Sequence, residues 1–177
     1  MTHILTPLID HVTGYIRLTV TENERVLVLT KGRIDSILDA GEHRIKREDT
    51  IREIHNIGRP TFVSPYEAAL FRDHPDLAAT HLTEVRAEEG ETRLILRDGR
   101  PHTVLLPHER VVLWTDAGPW TVERHVVSDT LIVPPALVKR LLRVGLTNGF
   151  TPIEVTDGHV GMLTIDGVLN SQLPPGT

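Results

Sequence analysis

The 177-residue sequence contains no cysteine. That excludes disulfides and thiolate metal sites, and it fits an intracellular address. Aromatic residues make up only 4%, so any core must be mainly aliphatic. There is no excess of positive charge: 19 Lys and Arg stand against 24 Asp and Glu, a net charge of −5. A nucleic-acid binder needs a cationic face to displace counterions, so nucleic acid is not an expected partner. No apolar run approaches the ~18–20 residues of a spanning helix. The N-terminal stretch MTHILTPLIDHVTGYIRLTV is broken by His3, Pro7, Asp10, His11 and Arg17, and reads as neither signal peptide nor anchor.

What the sequence does have is a recurring pattern. ERVLVLTKGRIDSILDAGE (24–42), ETRLILRDGRPHTVLLPHE (91–109) and HVGMLTIDGVLNSQLPPGT (159–177) each carry an apolar strand, a glycine turn and a returning strand. The turn glycines Gly32, Gly99 and Gly167 are spaced by 67 and 68 residues, a regularity typical of internal repeats. Asp98-Gly99 and Asp166-Gly167 suit a two-residue type I′ turn, whose twist matches that of the strands. Lys31 suits it less well, so the first turn is expected to be longer. The first returning strand is expected to alternate, with Ile34, Ser36 and Leu38 on one face and Asp35 and Ile37 on the other. Ala40-Gly41 and Pro174-Pro175-Gly176 are turn signals that end their strands. The second copy has His108 in place of this glycine, which predicts a different turn there.

The similarity extends past the hairpins. TIREIHNIGRPTFVSPYEAALFRD (50–73) and TVERHVVSDTLIVPPALVKRLLR (121–143) align at Val63/Val133 and Pro65/Pro135. Each reads as a strand, a link and a helix. Ser64 as N-cap, Pro65 at the first helical position and Glu67 two residues later predict a capping box. Pro135 predicts the second helix start, with Leu137, Val138, Leu141 and Leu142 as its apolar stripe and Gly145 as its stop. A further short helical turn is expected over Asp76–His81.

The predicted fold class is therefore α+β: tandem repeats of antiparallel β-hairpins, each unit closed by a short α-helix. The units run over 14–82 and 83–150, with a partial third over 153–177. The third copy reaches Thr177 where the first continues through His43, Arg44 and Ile45, so a longer parent protein is expected.

ENERVLVLTKGRIDSILDAGEHRI resembles the opening of slipin (stomatin-like) proteins of the SPFH, or band-seven, superfamily, where a glutamate-rich start leads into V-hydrophobic-GR…VL-x-PG-x-H. VPPALVKRLLRVGLTNGFTPIEVTDGHVGMLTIDGVLNSQLPPGT resembles the segment preceding the band-seven domain in a bacterial slipin subgroup with repeated N-terminal hairpins. The resemblance covers nearly the whole chain. It implies that a band-seven domain follows residue 177 and that the full-length protein forms homo-oligomers. It also implies membrane association by the full-length protein only, at the cytoplasmic face. The membrane hairpin of many stomatins is absent.

Chemistry-bearing motifs are few. Glu53-x-His55 and Glu123-x-His125 occupy matching places, and on a strand each pair shares a face. Each could offer one carboxylate and one imidazole to a divalent ion, yet a zinc site needs three or four converging ligands. The alternative is two polar pairs on wet strand faces. There is no HExxH, GxSxG, P-loop or GxGxxG motif, so no catalytic residue and no cofactor is expected. Of the four serines (Ser36, Ser64, Ser128, Ser171), none sits in a nucleophile elbow. Asp73-His74-Pro75-Asp76 reads as the end of one helix and the start of the next. Glu88-Glu89-Gly90-Glu91 reads as a solvated loop. Trp114 and Trp120 flank Thr115–Pro119, predicting a hairpin whose aromatic ends pack on a sheet or act as exposed interaction anchors.

The expected function is non-enzymatic: an assembly or partner-recruitment region of a slipin-type membrane-associated scaffold. The alternatives are a soluble adaptor that adds a peptide to an open strand edge, and a metal-dependent hydrolase using the Glu-x-His pairs.

Overall fold

The computed structural model describes residues 14–126 and 133–176. The chain forms antiparallel sheets with three α-helices among the described residues, an α+β architecture. In chain order the first elements are β1 (Tyr15–Val20), β2 (Glu24–Thr30), β3 (Arg33–Leu38), β4 (Gly41–Lys46), β5 (Thr50–Asn56), α1 (Glu67–Asp73) and α2 (Pro75–His81). They are followed by β6 (Leu82–Arg86), β7 (Glu91–Arg97), β8 (Arg100–Leu105), β9 (Arg110–Trp114), a 3₁₀ turn (Thr115–Ala117), β10 (Trp120–Val126), α3 (Pro135–Leu142), β11 (Gly161–Ile165) and β12 (Val168–Leu173). Two compact units emerge. One holds the chain up to Glu84 together with Val111–Gly118; the other holds Val85–Arg110 and the chain from Pro119 onward. The segment Val111–Gly118 thus belongs with the first unit, although it lies inside the second sequence segment.

The hairpin turns follow from backbone sterics. Lys31 and Gly32 have φ of 52° and 74°, Asp98 and Gly99 of 50° and 70°, and Asp166 and Gly167 of 51° and 81°. Two consecutive positive φ values define the type I′ turn. The longer first turn expected from Lys31 does not occur: Thr30 pairs directly with Arg33 across two residues. The twist demanded by the flanking strands outweighs the modest cost of a lysine in the left-handed region.

Each hairpin also carries a bulge at the same distance from its turn. Val28 pairs with Ser36 but Leu29 with Ile34. Ile95 pairs with Thr103 but Leu96 with Pro101. Leu163 pairs with Ser171 but Thr164 with Leu169. One residue on each returning strand, Asp35, His102 and Asn170, is therefore extra. A bulge resets the side-chain alternation, which corrects the strict alternation expected for 34–38: Ile34 and Ile37 are both buried. Pro101 is tolerated because β8 is an edge strand and the residue adjoins the bulge.

Sheet order is β3-β2-β5 in the first unit and β8-β7-β10 in the second. In each, the first strand of the hairpin is central, and the third strand arrives antiparallel after an excursion. β1 pairs with β4 and β6 with β9. Val26, Leu27, Val28 and Leu29 are all buried, so β2 is covered on both faces. Val26 and Val28 pack with Val20, Leu18 and Leu38. In the second unit Leu94 and Leu96 pack with Leu141 of α3 and with Leu137, Leu146 and Phe150.

The helices depart from expectation at one end. α1 begins at Glu67, with Tyr66 in the N-cap place and no side-chain cap. Ser64 instead accepts the Tyr66 N–H at 3.1 Å through its hydroxyl and donates that hydroxyl to Glu53 at 2.7 Å. The serine closes a turn ahead of the helix and does not occupy its N-cap place. α2 covers Pro75–His81, and α3 starts at Pro135. Gly145, φ 73°, ends α3, donating to the Leu142 carbonyl while Leu146 donates to that of Leu141. Leu142, expected on the apolar stripe, is exposed.

His108 adopts φ 67°, close to Gly176 (80°) but unlike Gly41 (138°), which opens β4. The turn at His108 therefore differs from that of the first copy and follows the third, and histidine tolerates that region better than β-branched residues do. Among the described residues no helix is long and apolar enough to cross a membrane.

Candidate functional site

The two Glu-x-His pairs lie on β5 and β10. Glu53 sits opposite Leu27 and His55 opposite Arg25; Glu123 sits opposite Leu94 and His125 opposite Thr92. His55 Nε2 is 3.5 Å from Glu53 Oε1, and His125 Nε2 is 3.6 Å from Glu123 Oε2. Neither contact has hydrogen-bond geometry. Both carboxylates have other partners. Glu53 takes the Ser64 hydroxyl. Glu123 takes Arg140 Nη1 at 3.1 and 3.0 Å. Each glutamate thus ties its strand to the segment that follows it. The half-exposed Arg140 pair contributes on the order of 0.2–1 kcal/mol.

The histidine rings serve as packing groups. His55 lies 5.0 Å from the Phe62 ring and 5.2 Å from that of Trp114, which meet edge-to-face at 5.2 Å. Burial lowers the His55 pKa below its ordinary value, with Glu53 opposing. His125 borders a cavity of about 40 Å³ lined chiefly by Leu94, Val104, Leu137, Leu141 and Phe150. That is room for a water molecule or two, not a substrate. Among the described residues no three His, Asp or Glu side chains converge as a metal site.

The tryptophans do not flank a hairpin. β9 pairs with β6 and β10 with β7, so the two belong to different sheets. Trp114 is 1% exposed, which removes it as an exposed anchor; the chain pairing of Pro60 and Phe62 with β9 covers it. Trp120 is half-buried, with the Arg97 guanidinium 5.8 Å from its ring centre and the His102 ring at 5.3 Å.

Two charged clusters went unread in the sequence. Glu91, expected in a solvated loop, is 1% exposed and opens β7. It accepts the Glu88 N–H at 3.1 Å, Arg93 Nε at 2.7 Å and Arg124 Nε. The Glu88 N–H, with Arg93 next, holds its pKa down at about 2. The second cluster centres on buried Arg25, which donates to Asp116 from Nε and Nη2 at 3.1 and 2.6 Å and lies 3.2 Å from Asp39. His81 Nδ1 is 3.4 Å from the same Asp39 carboxylate. The signal for both was a charge placed where strand alternation calls for an inward residue. Both clusters join elements distant in sequence, which supports a role in fixing the fold.

A further candidate is a surface. Hairpin β11–β12 exposes Met162, Val168 and Leu169, with Val160 exposed just before it. Among the described residues β11 pairs only with β12, whereas β2 and β7 are paired on both edges. The backbone of an unpaired strand edge offers N–H and C=O groups to another strand.

Comparison with known proteins finds no family model, no curated protein and no solved structure that matches the chain.

Proposed function

We propose that this chain is a non-enzymatic assembly or partner-recruitment region, of the slipin type within the SPFH superfamily, built from two copies of one strand-rich unit and a partial third. The observation that carries the reading is the agreement of backbone detail at 67- and 68-residue spacings. It includes positive-φ turn pairs, one bulge per hairpin and the same order in two sheets, β3-β2-β5 and β8-β7-β10. On this reading the third copy presents what the other two bury: a hairpin whose first strand, among the described residues, has a free edge. Repeat arrays stack or extend through such surfaces.

The resemblance supplies the setting: a homo-oligomeric scaffold at the cytoplasmic face of a membrane, with attachment through the rest of the full-length protein. The placement of the Glu-x-His pairs, tied to Ser64 and Arg140, supports structural work over turnover. A second reading, a soluble adaptor that takes a peptide strand, is favoured by the same open β11 edge.

The test is deletion of residues 1–177 from the full-length protein, followed by sizing of the assembly and vesicle co-sedimentation. The expected result is a smaller assembly or a lost partner with vesicle binding retained. Residues 1–177 alone should not sediment with vesicles. An unchanged assembly and partner set, or tight vesicle binding by residues 1–177, would overturn the reading.

A further inference from the structure

The second unit sets two pairs of arginines directly opposite one another in its sheet. Arg93 on β7 faces Arg124 on β10, and Arg97 on β7 faces Arg100 on β8. Directly opposite residues share a face of the sheet with Cβ atoms about 4.5–5.5 Å apart, and like charges there repel. A carboxylate closes the first pair: Glu91 takes Arg93 Nε at 2.7 Å and also Arg124 Nε. Arg97 lies six residues beyond Glu91 on the same strand, about 20 Å away at the rise of a strand. Among the described residues neither Arg97 nor Arg100 has an ion pair.

This second pair borders an open hollow of about 600 Å³, lined by Arg97, Asp98, Arg100, Pro101 and His102. Asp98 is the carboxylate of the turn; its amide donates to the Pro119 carbonyl at 3.1 Å, and among the described residues it pairs with neither arginine. Trp120, opposite Arg97 on β10, has the Arg97 guanidinium 5.8 Å and the His102 ring 5.3 Å from its ring centre. Burial, with the charge of Arg97 next, lowers the His102 pKa, so the cations of the hollow are the two arginines. At the places of Arg97, Arg100, His102 and Trp120 the first unit has Thr30, Arg33, Asp35 and Thr50. That is one arginine, with a carboxylate at the bulge.

We propose that the Arg97–Arg100 pair at the β7–β8 turn receives an oxyanion, a carboxylate or a phosphate, carried by a segment of a partner polypeptide. Glu91 shows, in the same sheet, what closes such a pair. Guanidinium groups match both oxyanions in geometry. Small-molecule sites enclose most of their ligand; an open hollow built from one turn suits a charged group projecting from a larger partner. Arginine and tryptophan are also the residues that dominate contacts between proteins. The inference rests on the partner-recruitment reading and gives it a surface separate from the β11 edge.

The test uses residues 1–177 and three peptides in a Gly-Ser background, carrying paired glutamates, a single phosphoserine or paired glutamines. The indole N–H signals of the two tryptophans report binding by NMR: Trp120 beside the hollow, and buried Trp114 as the internal reference. The glutamate or the phosphoserine peptide should move the Trp120 signal to saturation and leave that of Trp114 in place. The tighter of the two identifies the source of the oxyanion. The glutamine peptide should move neither signal. Arg97→Gln and Arg100→Gln should each weaken binding by about tenfold, the loss of one charge-assisted hydrogen bond. Arg33→Gln on the first hairpin should not, and the melting temperatures of the three variants report whether the fold survives. No saturable shift, or an affinity unchanged by Arg100→Gln, would overturn the proposal. So would binding that tightens in Asp10→Asn with Asp129→Asn, which assigns the pair to the chain's own carboxylates, or a Trp120 shift produced by phosphatidylserine vesicles and by neither peptide. Failed peptide binding with assembly still lost on deletion of 1–177 removes this surface and keeps the recruitment reading. Peptide binding with assembly and partners unaffected by the deletion keeps the oxyanion site and removes that reading.

Discussion

The Gly176 amide donates to the Val155 carbonyl at 2.9 Å, and 68 residues earlier the His108 amide donates to the Ala87 carbonyl at 3.0 Å. The first unit has the same pairing, Gly41 with Val20. In all three places one member of the pair (Val155, Ala87, Val20) is buried and the other (Gly176, His108, Gly41) has a positive φ. In the first two the contact adjoins a full ladder, β1 with β4 and β6 with β9; in the third, residues 151–155 carry no ladder and remain outside any strand.

The turn geometry makes Gly99 sensitive to substitution. A Cβ there would meet no atom within 4 Å, so the cost is purely that of φ 70°. Gly99→Val should destabilise by on the order of 1–3 kcal/mol, because a β-branched residue tolerates that region poorly. Gly99→Asn should cost less. Chemical-denaturation midpoints of the two variants check both size and order.

The tryptophans should separate cleanly. Trp114→Ala empties a fully buried site against Phe62 and His55 and should cost about 3–5 kcal/mol. Trp120→Ala loses a half-buried ring and its Arg97 contact and should cost less. Equal urea midpoints for the two variants would contradict their different burial.

Acid should act through Glu91. Its folded pKa, about 2, lies below the ordinary 4.5, so the unfolded chain takes up the proton first as pH falls. The contribution is therefore complete above about pH 4.5 and is lost as pH falls toward 2. Glu91→Gln should be less stable than the parent at neutral pH, with the difference shrinking over that window. A difference constant from pH 6 to pH 2.5 would contradict the assignment.

Metal should not matter to stability. Glu53, His55, Glu123 and His125 are held by packing and by Ser64 and Arg140, so EDTA should leave the melting temperature unchanged. A ligand bound only by the folded state must raise it through linkage. An EDTA-induced drop that disappears in His55→Ala with His125→Ala would promote the hydrolase alternative.

The sequence made the antiparallel strands legible because each apolar run ends at a glycine pair. It concealed the bulges, since an extra residue at Asp35, His102 or Asn170 changes no composition signal, only which neighbours turn inward. It concealed the sheet memberships of Trp114 and Trp120, because the intervening five residues look like a hairpin turn. Whether they close one depends on pairing with β6 and β7, from other parts of the chain. Glu91 was hidden for a related reason: an acidic run reads as solvated until Arg93 and Arg124 are brought to one of its members. Ser64 looked like a helix cap because its competing partner, Glu53, lies eleven residues away on a strand.

The central claim is that, among the described residues, the third hairpin keeps open an edge that the other two close. Amide hydrogen exchange on residues 1–177, resolved by residue, tests it directly. The account predicts slow exchange at successive interior amides of β2 and β7, which are bonded on both edges, and alternating slow and fast exchange along Gly161–Ile165. Uniform protection along β11 in the monomeric chain would contradict it.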